Sequence, residues 1–201
     1  MGRRWETVAM GPDGTAAGFS GIVLAGGTAA RMDGVDKAGL ELGGRTLLEW
    51  TIDAFLDADE VVVVGPRSVP TTRPVTFTRE DPPKGGPVAG LLTGVDALLR
   101  TPAVVGVLAV DMPHVTAYTL RRLREAATGH DGAFLVDADG RRQLAGVVSA
   151  PRLAAVRPDP ERQHGMSLRA LLADLDLASV PADGTEARDV DTWADWRDLQ
   201  D

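Results

Sequence analysis

The stretch Gly21-Ile22-Val23-Leu24-Ala25-Gly26-Gly27-Thr28-Ala29-Ala30-Arg31-Met32-Asp33-Gly34-Val35-Asp36-Lys37 decides the fold. Its first five residues form a short aliphatic run, and the rest is a loop of small residues closed by two cations. An aliphatic run that gives way to glycine reads as a buried strand leaving a sheet. Glycine lets backbone approach an anion without an intervening Cβ, and consecutive amides form a concave anion site. Arg31 and Lys37 add positive charge to that site. The two common phosphate loops do not fit: Gly34 is followed by Val35 rather than Lys-Ser/Thr, and the spacing Gly-x-Gly-x-x-Gly is missing. The residues alone therefore leave two readings, a phosphate cradle of another type or a Gly-rich turn with two solvated cations.

Outward from this loop, short aliphatic runs alternate with longer amphipathic stretches, as in an α/β sheet. Residues 21–25, 61–64, 74–77 and 104–110 read as strands, and their near-continuous Val/Ile/Leu content suits a mostly parallel sheet covered on both faces. Residues 46–56 carry apolar side chains three and four apart, as do residues 89–99, which predicts crossover helices. Residues 116–127 read as a third helix with Thr116 as a cap, and residues 133–136 and 143–149 as a hairpin, making the sheet mixed. Short helices at 167–175 and 192–199 each open on a hydroxyl residue.

The chain of 201 residues is long enough for one ordinary domain, here assigned to residues 19–201 with residues 1–18 as a flexible extension. Its net charge of -8 repels polyanions, which argues against nucleic acid as a partner but leaves room for a small anion in a local pocket. The absence of Cys removes disulfides, thiolate metal sites and thiol nucleophiles, and fits a reducing compartment, so the cytoplasm is the expected location. No apolar run approaches the ~20 residues that span a bilayer, and residues 1–20 lack the apolar core of a secretory signal.

A second chemical feature is Val107-Leu108-Ala109-Val110-Asp111-Met112-Pro113, an apolar strand ending in a carboxylate. In open α/β sheets ligands gather beyond the carboxyl ends of the strands, so Asp111 would share a crevice with the glycine loop. A buried carboxylate needs compensation, and Mg²⁺, held by one or two carboxylates plus phosphate oxygens, would supply it; capping of the following turn is the alternative. Asp189-Val190-Asp191 would place two carboxylates on one face if Val190 lies in a strand, leaving Asp191 as a second metal ligand or as a helix cap. Residues 79–90 are too rich in Gly and Pro for helix or strand and would wall a base or ribose. Arg141, Arg142, His164, Ser167 and Arg169 lie in the second half, where they are either solvated or gathered on an acceptor phosphate. The four Trp residues read as packing or tail residues.

Leu24-Ala25-Gly26-Gly27, then Arg31-Met32, then Asp36-Lys37-Ala38 before Gly43-Gly44-Arg45 resembles the signature loop of the Rossmann-like nucleotidyltransferases, and most closely that of the molybdenum cofactor guanylyltransferases. The resemblance covers about residues 21–191 and implies a three-layer fold on a mixed, mostly parallel sheet. Gly26, where related uridylyl- and cytidylyltransferases often have Ala, favours guanine. Asp33 departs from the pattern, standing where relatives commonly have Gly, and Gly34 would serve the turn instead. The resemblance implies nucleotide binding by Leu24, Ala25, Gly26, Gly27, Lys37, Gly65, Asp81, Gly86, Pro87, Gly90 and Asp111, with Gly65 standing where relatives often have Asn. It implies catalytic roles for Arg31, Lys37 and Asp111, and Mg²⁺ on Asp111 and Asp191. The implied reaction moves GMP from GTP to molybdopterin, with or without molybdenum, and releases pyrophosphate; proteins that assemble molybdoenzymes would be transient partners. A cytidylyltransferase on the same pterin, a sugar-phosphate nucleotidyltransferase and a noncatalytic nucleotide-binding module are the competing functions. A Rossmann dehydrogenase ranks last.

Overall fold

The computed structural model describes residues 18–26 and 32–200. At its centre β1 (Phe19–Leu24) pairs in parallel with β4 (Glu60–Val64) on one side and β6 (Val104–Ala109) on the other. The order across the seven-stranded sheet is β5-β4-β1-β6-β8-β7-β9, with β5 at Thr76–Thr78, β7 at Gly132–Val136, β8 at Arg142–Ser149 and β9 at Leu177–Pro181. Only β8 runs antiparallel to its neighbours β6 and β7, because it returns from β7 through the tight turn at residues 137–141. The sheet is therefore mixed and mostly parallel, as the sequence implies.

Successive side chains of the central strands face opposite layers. Val23, Val63 and Leu108 pack with Leu48, Ile52, Leu120 and Leu123 on one face. These four belong to α1 (Leu47–Ala54) and α3 (Ala117–Ala126). Ile22, Val62 and Val107 pack on the other face, where Val88, Leu91, Leu92 and Val95 come from α2 (Pro87–Asp96). The smaller helices α4 (Ala150–Ala155), α5 (Pro160–Gln163) and α6 (Leu168–Leu171) follow β8. Burying each such Leu or Val contributes about 1.5–3 kcal/mol, so the three layers are held chiefly by these two apolar faces. Gly21 and Gly106 sit opposite each other in register, and a Cβ at either would lie within 2.7 Å of the Phe55 ring. The two glycines thus form the slot that seats Phe55 against the sheet.

Four of the helices begin at a hydroxyl residue whose side chain caps them. Thr46 accepts from the Glu49 amide, Thr116 forms a reciprocal cap with Thr119, and Ser167 accepts from the Ala170 amide. Thr192 likewise opens α7 (Trp193–Asp198). The sequence reading omits three features. The edge strand β9 escapes it because Val180 alone of its five residues is buried. The hairpin of β2 (Glu41–Leu42) and β3 (Arg45–Thr46) is too short for periodicity, and α4 and α5 are single short turns. Val190 lies outside any strand.

Candidate active site

From β1 the chain builds outward through β4 and β5, then crosses back to lay β6 on the other side of β1. The crossing opens a crevice between the carboxyl ends of β1 and β6, the place where open α/β sheets bind ligands. Its walls are tied by backbone: Ala25 N donates to Val64 O at 2.8 Å and Val110 N to Leu24 O at 3.1 Å. A cavity of about 400 Å³ fills this position, within the usual size of small-molecule sites. Leu24, Ala25, Gly26, Lys37 and Asp111 line it together with Val64, Glu80, Lys84, Gly86, Pro87 and Gly90.

Lys37 opens a short 3₁₀ turn, Lys37–Gly39, that Asp36 caps by accepting from the Ala38 amide at 3.1 Å. Its Nζ donates to Asp111 Oδ2 and to Asp191 Oδ1, both at 2.8 Å. Asp111 follows β6 directly, whereas Asp191 arrives from the far end of the chain. Val190 N donates to Asp111 O at 2.9 Å, which lays the segment before α7 along the end of β6. The Asp195 carboxylate then accepts from the amides of Asp191 at 3.1 Å and Thr192 at 2.7 Å. Thr192, not Asp191, is the cap of α7. The Asp191 side chain is therefore turned to Lys37 rather than spent on the helix.

Burial alone would favour a neutral Lys37 amine, but its two carboxylate partners outweigh that and hold the pKa above the ordinary lysine value. Asp189, beside them, is pushed up from the ordinary aspartate value by burial first and by the charges of Asp191 and Asp111, with Lys37 pulling the other way. Among the described residues no group of three or more His, Cys, Asp or Glu is placed to enclose a metal. Asp111 and Asp191 nonetheless reach one cation, and two carboxylates completed by phosphate oxygens are a magnesium donor set. The residues fit a metal that arrives with, or is completed by, a phosphorylated ligand.

Of the residues singled out in the sequence, Leu24, Ala25, Gly26, Lys37, Gly86, Pro87, Gly90 and Asp111 line the same cavity, and Asp191 joins it through Lys37. Gly27 and Arg31 lie outside the described residues. Gly65 and Asp81 are not in the cavity lining. Gly65 packs behind the site, where a Cβ would come within 2.9 Å of the Ala25 carbonyl carbon. The Asp81 amide and carbonyl bond to Thr93 Oγ1, and its neighbour Glu80 takes the place at the cavity. Both Asp33 (φ 54°) and Gly34 (φ 76°) adopt left-handed backbone, so the turn is kept although Asp replaces the expected Gly. Glu80, Lys84, Val64 and Leu144 are cavity residues that the sequence reading does not assign. Glu80 and Lys84 fall inside residues 79–90, where the Gly/Pro pattern identifies a wall but not which side chains face it.

The second-half residues do not converge on one contact. Gly165, next to His164, donates its amide to Gly85 O at 2.7 Å; Ser167 is spent on capping α6; Arg141 and Arg142 flank the β7–β8 turn. Trp196 is buried, Trp50 donates to Leu42 O, and Trp193 Nε1 reaches Asp33 Oδ2 at 3.4 Å, consistent with packing roles. Among the described residues no helix is long and apolar enough to cross a membrane.

A family model described as the MobA-like NTP transferase domain matches residues 21–180. The chain is 37% identical over 146 residues to a probable molybdenum cofactor guanylyltransferase of Opitutus terrae, covering 69% of this chain and 70% of that protein. It is 34% identical over 135 residues to a molybdenum cofactor guanylyltransferase of Mesorhizobium japonicum, covering 62% of this chain and 63% of that one. The crystal structure of Rv0371c from Mycobacterium tuberculosis superposes with a TM-score of 0.73 at 23% identity, covering 92% of this chain and 99% of that chain, a likeness of fold. The glycine loop, the lysine bridging two carboxylates at the switch point and the matched family model agree, and the chain belongs to the MobA-like NTP transferase family, as a nucleotidyltransferase.

Proposed function

We propose that the protein transfers GMP from GTP to the terminal phosphate of molybdopterin and releases pyrophosphate, with Mg²⁺ as cofactor. The observation that carries this reading is the meeting of Lys37 with Asp111 and Asp191 at the cavity, a cation and two carboxylates beside a glycine loop. The names of the curated relatives support the choice of guanine and pterin.

An acceptor phosphate is already an anionic nucleophile, so the transfer needs no activating base. An acceptor oxygen attacks the α-phosphorus, the bond from that phosphorus to the bridging oxygen of the β-phosphate breaks, and pyrophosphate carries away the electron pair. The work left to the protein is alignment and neutralisation. Gly26 and Lys37 line the cavity, and Lys37, with Arg31, would hold the departing pyrophosphate. Asp111 and Asp191 would hold Mg²⁺, which when bound supplies positive charge to the phosphate oxygens.

The test is pyrophosphate release by the purified protein with Mg²⁺, each of the four ribonucleoside triphosphates, and either molybdopterin or sugar phosphates. Release with GTP and pterin only is the expected result. Turnover confined to CTP or to a sugar phosphate overturns the assignment, and nucleotide binding with no release from any pair makes the protein a noncatalytic module.

A further inference from the structure

Asp111 follows a buried strand, but Asp191 is delivered by residues 182–192, which lie outside helix and strand. With no backbone ladder along it, such a segment is placed by its moorings, and one of these is charged and buried. Glu186 is 8% exposed, and its carboxylate accepts from Thr119 Oγ1 at 2.6 Å, from Arg122 Nη1 at 2.9 Å and from the Asp183 amide at 2.8 Å. Arg122 also donates to Pro181 O at 2.7 Å and pairs with the Asp183 carboxylate, so α3 grips the start of the segment through Pro181, Asp183 and Glu186. A carboxylate so far withdrawn from water is stable only where donors fill it, so any shift of Glu186 that breaks these bonds is opposed. The grip also lies in the first turns of the helix that Asp111 leads into. Thr119 Oγ1, which donates to Glu186, accepts from the Thr116 amide at 3.1 Å. Thr116 follows Asp111 by five residues, and Glu186 precedes Asp191 by five.

These two arms close a ring. The Thr119 hydroxyl joins their far ends, the bond from Val190 N to Asp111 O joins their near ends, and the carboxylates of Asp111 and Asp191 meet on the Lys37 ammonium. Resting on the reading of Asp111 and Asp191 as the metal carboxylates, we propose that Glu186, clasped by Thr119 and Arg122, is a positioning residue that sets Asp191 opposite Asp111. Glu186 does not line the cavity, so it acts through Asp191 rather than on the nucleotide or the metal. Without the clasp the near-end bond to Asp111 O becomes a pivot, and the second carboxylate swings out of the donor set. Lys37, Asp111 and Gly26 keep their places on other elements. Nucleotide binding without metal is then retained, while metal binding with nucleotide is weakened.

The test is titration of Mn²⁺ by electron paramagnetic resonance in the presence of GTP, with GTP affinity measured separately without metal. It compares the wild-type protein, Glu186→Gln, Asp191→Asn and the two substitutions combined. Each single substitution should weaken Mn²⁺ binding by about 10-fold. GTP affinity without metal should match wild type in Glu186→Gln. The combined variant should bind Mn²⁺ no more weakly than Asp191→Asn alone, because Glu186 then has no carboxylate left to position. Thr119→Val should reproduce the loss seen in Glu186→Gln, and Thr119→Ser, which keeps the hydroxyl, should bind as wild type, so the clasp is tested even where Glu186→Gln folds poorly. Wild-type Mn²⁺ affinity in Glu186→Gln or Thr119→Val overturns the proposal and leaves the metal reading standing. So does a full further loss when Glu186→Gln is added to Asp191→Asn, the mark of a tie that serves stability alone. Unchanged Mn²⁺ affinity in Asp191→Asn overturns the metal role of Asp191 and the proposal with it.

Discussion

Lys37 Nζ lies 2.8 Å from Asp111 Oδ2, joining residues 74 positions apart. One comes from the loop after β1 and the other from the end of β6, so the pair marks the switch point of the sheet with opposite charges. The side chains are 14% and 22% exposed, partly withdrawn from water, where a charge–charge contact is stronger than on the open surface. The same ammonium also holds Asp191, which brings three distant segments of the chain to one point.

Replacing Lys37 by Ala removes the cation assigned to the departing pyrophosphate. Turnover should fall about 10²-fold or more, with the far-ultraviolet circular dichroism spectrum unchanged. Near-normal turnover would remove Lys37 from the mechanism.

Asp189 has a folded-state pKa above the ordinary aspartate value of 3.8, so the folded protein holds its proton more tightly than the unfolded chain. Its ionisation therefore destabilises the fold as pH rises through that window. Asp189→Asn should be more stable than wild type to urea at about pH 7, and the gain should vanish below the ordinary aspartate value, where both states are protonated. An equal gain at both extremes would contradict the burial and charge argument.

Gly65→Ala places a methyl group 2.9 Å from the Ala25 carbonyl carbon and 3.0 Å from its oxygen, against backbone that cannot turn aside. The end of β4 and the start of the glycine loop must part, at a cost of about 1–3 kcal/mol. A urea melt checks the stability, and nucleotide affinity should fall with it. An unchanged midpoint would mean that the loop start yields freely.

Asp195→Ala frees the amides of Asp191 and Thr192, which its carboxylate now engages. The loss of this half of the α7 cap should cost about 1 kcal/mol. Because the same contact fixes the backbone of Asp191, turnover should also fall, and Asp195→Asn, which keeps an acceptor, should restore much of it. Equal loss in both variants would point to the Asp195 charge instead.

The central strands are legible because β1, β4 and β6 are buried on both faces and so are written as near-continuous aliphatic runs. The helices were legible from three- and four-residue spacing and from capping hydroxyls. β9 was not, since an edge strand with one buried residue carries no such run. The glycine loop and Asp111 could be placed because each follows directly on a readable strand. In residues 79–90 no periodicity relates neighbouring side chains, so Asp81 could not be told from Glu80 before the backbone was known. Gly65 stands where relatives often have Asn, and no sequence pattern signals the further demand on it, the close approach of Ala25. Asp191 is ambiguous in the sequence because it and Thr192 are both capping residue types, and only the backbone assigns the cap of α7 to Thr192.

The most direct test of the central claim is electron paramagnetic resonance titration of Mn²⁺, standing in for Mg²⁺, with wild-type protein and Asp111→Asn in the presence and absence of GTP. GTP should tighten Mn²⁺ binding in the wild-type protein, and Asp111→Asn should weaken the GTP-dependent binding by about 10-fold or more. Equal Mn²⁺ affinity of the two proteins with GTP bound would contradict it.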